Sequence, residues 1–323
     1  MKSELSGHLL ALFTTTVWGV TYVSTKYLVA SFAPAEILTL RLMAAILLLK
    51  LISPGAKIPF RASTEKYFAL AGLTGICMYF LLENTALTIT TASNTGVIVA
   101  MAPMCTAILA FLVHRDRQVL SPWFIAGFLI SISGVGLLSF RGSDFSIHPA
   151  GDLLVLLACC CWAVYSLTIR RISDFGYGSI AVTRRAFLWG LIFMLPALPF
   201  SGIDTGDLTR YADPASIANL LFLGCIASAV CFATWNYSVK IIGPVRTCVY
   251  IYAGPAVTVL FAFLFLGEQL NLSGIAGCLM VTAGLVISSV KTGKKPIEGK
   301  DNEERKTKEE EKAEGKRKTD AAQ

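Results

Sequence analysis

The chain has 323 residues, of which 54% are hydrophobic and only 15% charged, with a mean hydropathy of +0.63 and a formal net charge of +7. Soluble domains carry about a quarter charged residues, so this composition excludes an ordinary soluble domain. Eleven of the 28 Lys and Arg lie in residues 291–323, which leaves the body of the chain poorer still in charge.

Crossing a hydrocarbon core takes about 20 mostly apolar residues. In chain order, such segments fall at 8–28, 34–52, 67–88, 93–113, 122–140, 151–170, 180–200, 216–239, 245–266 and 271–290. No alternating short-strand pattern interrupts these ten spans. In lipid the backbone must satisfy its own hydrogen bonds, so the spans are helices. The apolar run of the first span is longer than a signal-peptide core, and it reads as a retained helix. With the N-terminus inside, the inner loops ahead of the tail collect thirteen Lys and Arg against four outside. That bias predicts a multi-pass protein of the cell (inner) membrane with both termini cytoplasmic. Residues 291–323 mix both charge signs with almost no large apolar residues, and read as a disordered charged cytoplasmic tail. Their acidic residues dilute any basic face, so the expected surface partner is the lipid bilayer and not nucleic acid.

A repeat organises the spans. GHLLALFTTTVWGVTYVSTK (7–26) aligns without a gap to GDLLVLLACCCWAVYSLTIR (151–170), placing Trp18 over Trp162 and Lys26 over Arg170, and at the same offset Arg41 over Arg185. Phe80 and Asn84 then correspond to Phe232 and Asn236, Pro103 to Pro255, Asp116 to Glu268, and Gly134 to Gly284. The chain divides into a first five-helix repeat at 1–145, a second at 146–290, and the tail. Five is odd, so the second copy sits upside down, a recurrent build of secondary transporters with a site near the midplane. In this register the three adjacent cysteines 159–161 lie over Thr15, Thr16 and Val17. Successive helix positions diverge by about 100°, so these thiols do not converge on a metal. No C-x-x-C pair or Cys/His cluster occurs, and the cysteines read as small apolar packing residues. No metal or cofactor is expected.

These features resemble the drug/metabolite transporter superfamily, specifically its ten-helix EamA-type permeases. The resemblance rests on Trp18, Gly19 and Lys26 in the first span, Pro34 and Arg41 in the second, and AGPAVTVLFAFLFLGEQLNLSGIAGCLMVTAGLVI (253–287) at the end of the second half. In the first half HRDR (114–117) stands where a Gly-Glu pair is expected. The resemblance implies a transporter of a small metabolite, an amino acid or similar compound, with export favoured.

Ionisable groups inside spans are costly and mark candidate sites. Glu83 is the one carboxylate well inside a span, with Tyr79 one turn before it and Asn84 and Asn236 at matching depth. Glu83 either binds a proton or substrate and couples transport, or forms a structural ion pair with Lys26 or Arg41. Trp18, Tyr22, Trp162, Tyr165 and Tyr250 are candidate cavity residues, with helix packing as the alternative. Pro103 and Pro255 are candidate hinges or kinks. Gly127/Gly134 and Gly277/Gly284 give helices five and ten a smooth strip for contact within the bundle or with a second copy. Lys26 and Arg170 are gate charges or snorkelling anchors, and Asp116 and Glu268 suit helix capping. No P-loop is present, which excludes the common ATP-driven pump signature. The expected function is a secondary transporter working by alternating access, either coupled to protons with Glu83 as the candidate coupling residue or facilitative. A facilitative channel or uniporter and an integral-membrane enzyme are the alternatives; an enzyme would cluster catalytic polar groups in its spans, and none cluster.

Overall fold

The computed structural model describes residues 2–90, 92–115, 121–139, 149–201, 209–254, 257 and 272–290. Asp116, Pro255, Glu268, the 291–323 tail and most of the ninth span beyond residue 254 lie outside the described residues. Every regular element among those described is helical. In order they are α1 (Lys2–Leu28), α2 (Pro34–Ile52), α3 (Ala62–Ala71), a first π-helical segment (Gly72–Met78), α4 (Tyr79–Ile89), α5 (Ala92–Val99) and α6 (Ala102–His114). Then follow α7 (Pro122–Ser139), α8 (Pro149–Ser173), α9 (Ser179–Met194), α10 (Pro214–Leu221), a second π segment (Phe222–Val230), α11 (Cys231–Ile242), α12 (Pro244–Val249) and α13 (Leu272–Val290). Four helical stretches among the described residues are long and apolar enough to cross a membrane: Ala62–Ile89, Pro149–Ser173, Ser179–Pro199 and Pro214–Ile242. The described residues are therefore those of an all-helical protein, and these stretches fit a multi-pass membrane protein.

Proline sets many of the starts. Pro34, Pro122, Pro149, Pro214 and Pro244 each open a helix, where a missing N–H costs nothing and φ is already helical. At α2 the carboxylate of Glu36 accepts the Ala33 N–H at 3.2 Å. At α10 Asp213 accepts the Ser216 N–H at 2.8 Å, satisfying one of the free donors of a helix N-terminus. Gly243, at φ 85°, makes the sharp exit from α11, a conformation that disfavours a residue with a Cβ.

The sequence reads 93–113 as one span with Pro103 as a candidate hinge or kink. In the structure this stretch is two helices, α5 and α6, separated by a turn at 100–101, and Pro103 lies in the first two positions of α6, directly after the break.

The two π segments occupy equivalent places. Phe80 lies over Phe232, so Tyr79 lies over Cys231, and each closes its segment through an i→i−5 bond, Tyr79 N–H to Thr74 O and Cys231 N–H to Ile226 O. π turns are rare and concentrate at functional sites. The halves are also interlaced. α1 packs on α11, as α8 packs on α4; α2 packs on the second π segment, as α9 packs on the first; α7 pairs with α13. In lipid the apolar surface gains little from leaving its surroundings, so close packing and interhelical hydrogen bonds hold such a bundle. Glycine permits the approach at key crossings. A Cβ on Gly72 would lie 2.7 Å from Ala186 O, and one on Gly127 would lie 2.6 Å from Gly284 O. The strip on helices five and ten is thus used within one chain.

Candidate functional site

At the centre, rings from both halves meet. Trp18 of α1 stands edge-on to Trp162 of α8, with centroids 5.3 Å apart, and Trp235 of α11 lies 4.9 Å from Trp18 and 5.4 Å from Trp162. Phe232 is 5.3 Å from Trp18. Each such pair adds about 0.5–1.5 kcal/mol beyond the area it buries. The Trp18 indole N–H donates to Ala227 O at 2.9 Å, fastening α1 to the second π segment.

Beside this cluster lies a cavity of about 50 Å³, walled by Thr15, Trp18 and Tyr22 of α1, Arg41 of α2, Tyr79, Phe80 and Glu83 of α4, Gly96 and Val99 of α5, Trp162 and Phe232. That volume holds a few water molecules.

Two opposite charges face the cavity, both buried. The π segment just ahead of α4 shifts the helical register by widening one turn, and Tyr79 and Glu83 then share one face at i and i+4. The Tyr79 hydroxyl donates to Glu83 Oε1 at 3.2 Å. Arg41 donates from Nε to Ser228 Oγ at 3.0 Å, and its guanidinium carbon sits 4.0 Å from the Phe80 ring centroid. Gly224 lets the second π segment approach this close, since a Cβ there would lie 3.1 Å from Arg41 O. Glu83 and Arg41 attract each other across the cavity, yet no ion pair joins them among the described residues. Lys26, the other expected partner, is occupied elsewhere. Its Nζ donates to Leu87 O at 2.7 Å and Thr90 O at 3.2 Å.

Of the candidates from sequence, Trp18, Tyr22, Tyr79, Glu83 and Trp162 come together around this cavity. The other four do not line it. Tyr165 is fully buried and donates to Asn236 Oδ1 at 2.8 Å, while Asn236 Nδ2 donates to Thr183 Oγ1 at 2.8 Å. Asn84 Nδ2 donates to Pro34 O at 3.2 Å, holding the start of α2. Tyr250 is bonded to His8 Nδ1 at 2.8 Å. These four tie helices to one another. Lys26 and Arg170 also turn out to be matched: Arg170 Nη1 donates to Lys240 O at 2.8 Å at the end of α11, as Lys26 does at the end of α4. Both cap helix C-termini, where a cation meets the negative end of the helix dipole.

Arg41 was missed as a site residue. Its signal was present in the alignment of Arg41 over Arg185, two arginines at equivalent positions of the repeat. Among the described residues, no three His, Cys, Asp or Glu side chains gather where they could hold a metal.

Comparison with known proteins agrees with this architecture. The chain is 26% identical over 289 residues to an uncharacterized transporter of Archaeoglobus fulgidus, covering 88% of this chain and 97% of that one. It is 27% identical over 232 residues to a probable terminal-alkyne amino-acid exporter of Streptantibioticus cattleyicolor, covering 72% and 75%, and 26% identical over 278 residues to the uncharacterized inner membrane transporter YedA of Escherichia coli, covering 83% and 84%. A solved crystal structure superposes with a TM-score of 0.70 at 17% identity, covering 90% of this chain and 96% of that one, which establishes the shared fold. These relatives bear the names of transporters and not of enzymes. Two copies of the EamA-like transporter family pattern match residues 5–140 and 149–290. The chain belongs to the EamA-like transporter family, as its resemblance to drug/metabolite transporters implied.

Proposed function

We propose that this protein is a secondary transporter that moves a small metabolite by alternating access between two inverted five-helix halves. The observation that carries the reading is the cavity between the halves, faced by Arg41 and Glu83, which form no ion pair with each other among the described residues, and walled by Trp18, Trp162, Tyr22 and Tyr79. A buried charge without a direct ionic partner is expensive, so two of opposite sign held apart suit a solute that brings its own charges. A zwitterionic, amino-acid-like compound fits: a carboxylate toward Arg41, an amine toward Glu83, and apolar groups against the indoles. The probable terminal-alkyne amino-acid exporter among the relatives favours this class and favours efflux.

In this reading ten helices span the cell membrane with both termini cytoplasmic. Glu83 exchanges a proton for substrate, which couples efflux to the proton gradient. A cavity of about 50 Å³ is too small for such a solute, so in this reading the site widens to bind it.

Counterflow in proteoliposomes against a panel of radiolabelled amino acids, with and without a pH gradient, tests this. Saturable counterflow of one compound, accelerated by the gradient, is the expected result. Unsaturable flux at rates far above carrier turnover overturns it in favour of a channel, and absence of flux across the panel overturns the substrate class.

A further inference from the structure

Two ion pairs outside the cavity share one design. In the first, Arg185 of α9 grips Glu65 of α3 with both arms, Nε to Oε1 at 2.7 Å and Nη2 to Oε2 at 2.9 Å, and Trp189 Nε1 adds a third bond to Oε1 at 2.5 Å. In the second, Arg210, just ahead of α10, donates from Nη2 to Glu36 Oε1 of α2 at 3.0 Å and from Nη1 to Ser31 O at 2.6 Å, while Tyr211 also donates to Glu36. Glu65 and Glu36 are only 6% and 4% exposed. The pairs stand at opposite ends of the bundle. Glu36 is in the first turn of the 19-residue α2, about 28 Å from its far end, and the short 53–61 connection leads from that far end to α3.

Each pair joins the start of a π-bearing helix to the start of a neighbour contributed by the other repeat. The couples are equivalent, α3–α4 with α9 and α10–α11 with α2. Their middles also touch through glycine, Gly72 against Ala186 and Gly224 against Arg41 and Ala44. The residues are not equivalent, however. The acid lies on the π-bearing helix in one couple and on the neighbour in the other, and Arg185 aligns with Arg41, not with Glu36. What recurs is the ionic link, made by different residues with reversed polarity.

Each carboxylate is held by more than one donor, and each couple also touches at its middle through a glycine, so the two members of a couple are joined at two levels along their length. We infer that Glu65–Arg185 and Glu36–Arg210 are permanent staples, which weld the helices into two couples that each move as one body during transport. The inference rests on the transporter reading, and it predicts that the links stay closed in every phase.

The test introduces Thr15→Cys into the cavity wall of a chain whose nine native cysteines are replaced, and labels it with a membrane-impermeant thiol reagent from each face of sealed vesicles. Glu65→Gln and Glu36→Gln are each added, and Tm is recorded. Staples predict that each variant loses roughly 5–10 °C of Tm while the ratio of labelling from the two faces stays within about twofold, an equilibrium shift of at most about 0.4 kcal/mol. They also predict that Glu65→Arg with Arg185→Glu recovers at least half of the Tm loss. Ratios that move about fivefold or more, in opposite directions for the two variants, overturn the proposal and make the pairs gates. If the carboxamide variants do not fold, Trp189→Phe and Tyr211→Phe weaken each link by one hydrogen bond and are read the same way. A parent protein labelled from one face only counts against alternating access. The staples are then judged by the charge swap, whose failure to recover Tm overturns them.

Discussion

The two sides of the central aromatic cluster have the same scaffold and opposite contents. On the first side Tyr22, Tyr79, Glu83 and Gly96 border a cavity. Carried through the repeat, those positions become Ser166, Cys231, Trp235 and Cys248, and all four are fully buried in close packing. The Trp235 ring occupies the place that Glu83 leaves open. Its indole N–H has no hydrogen-bond acceptor among the described residues, and an unmet buried donor costs about 1–3 kcal/mol. A duplicated frame therefore leaves one wall polar and hollow and makes the other an apolar plug. The titratable groups that face the cavity, Tyr22, Arg41, Tyr79 and Glu83, all come from the first half.

The largest expected effect breaks the plug. Trp235→Ala removes a fully buried indole in contact with Trp18 and Trp162, and should cost about 3–5 kcal/mol of stability, read as a lower Tm in detergent. It should also admit thiol reagent to a Thr15→Cys probe from the face that was closed. Trp235→Phe keeps most of the packing and deletes the unmet donor, so its Tm should stay within a few degrees of the parent. Next in size is Arg41→Lys. A lysine loses the rigid fork that bonds Ser228 and stacks on Phe80, and counterflow should fall about tenfold, equivalent to about 1.4 kcal/mol. Glu83→Gln is subtler. It keeps a bond to Tyr79 and removes the titrating group, so exchange of substrate should persist while stimulation by a pH gradient disappears. If stimulation survives, the proton does not travel on Glu83.

Much of this comparison could be read in the chain before folding. The Trp18/Trp162 and Arg41/Arg185 correspondences follow from an ungapped alignment, and helical spacing alone places Tyr79 and Glu83 on one face. Other features had no sequence signal that periodicity could detect. A π turn is one residue of excess in a continuous apolar run, and nothing in GLTGICM marks it apart from two glycines whose contacts are long-range. Asn84, Asn236 and Tyr165 look like site residues because polarity in a span suggests function. In the structure they are hydrogen-bonded to neighbouring helices and do not line the cavity, a placement decided by which carbonyl or hydroxyl lies opposite. Glu65 and Glu36 sat at span edges, where a carboxylate ordinarily faces water, and their arginines are more than a hundred residues away in sequence.

The smallest effect sharpens the contrast between the two π-bearing helices. The helix on the plugged side begins with an Asp213 cap, whose Oδ2 accepts both the Ser216 N–H at 2.8 Å and the Tyr27 hydroxyl at 3.2 Å. The helix on the hollow side begins at Arg61 with no side-chain cap. Accepting hydrogen bonds from Ser216 holds the Asp213 carboxyl below its ordinary range. A carboxyl whose folded pKa is depressed contributes stability above its unfolded pKa, about 3.9, and loses that contribution as pH falls through the folded value. Asp213→Ala should therefore lower Tm by a small, constant amount from pH 8 to pH 5, with the gap to the parent closing only below about pH 4. A gap that closes between pH 7 and pH 5 would mean that another group, not this cap, carries the difference.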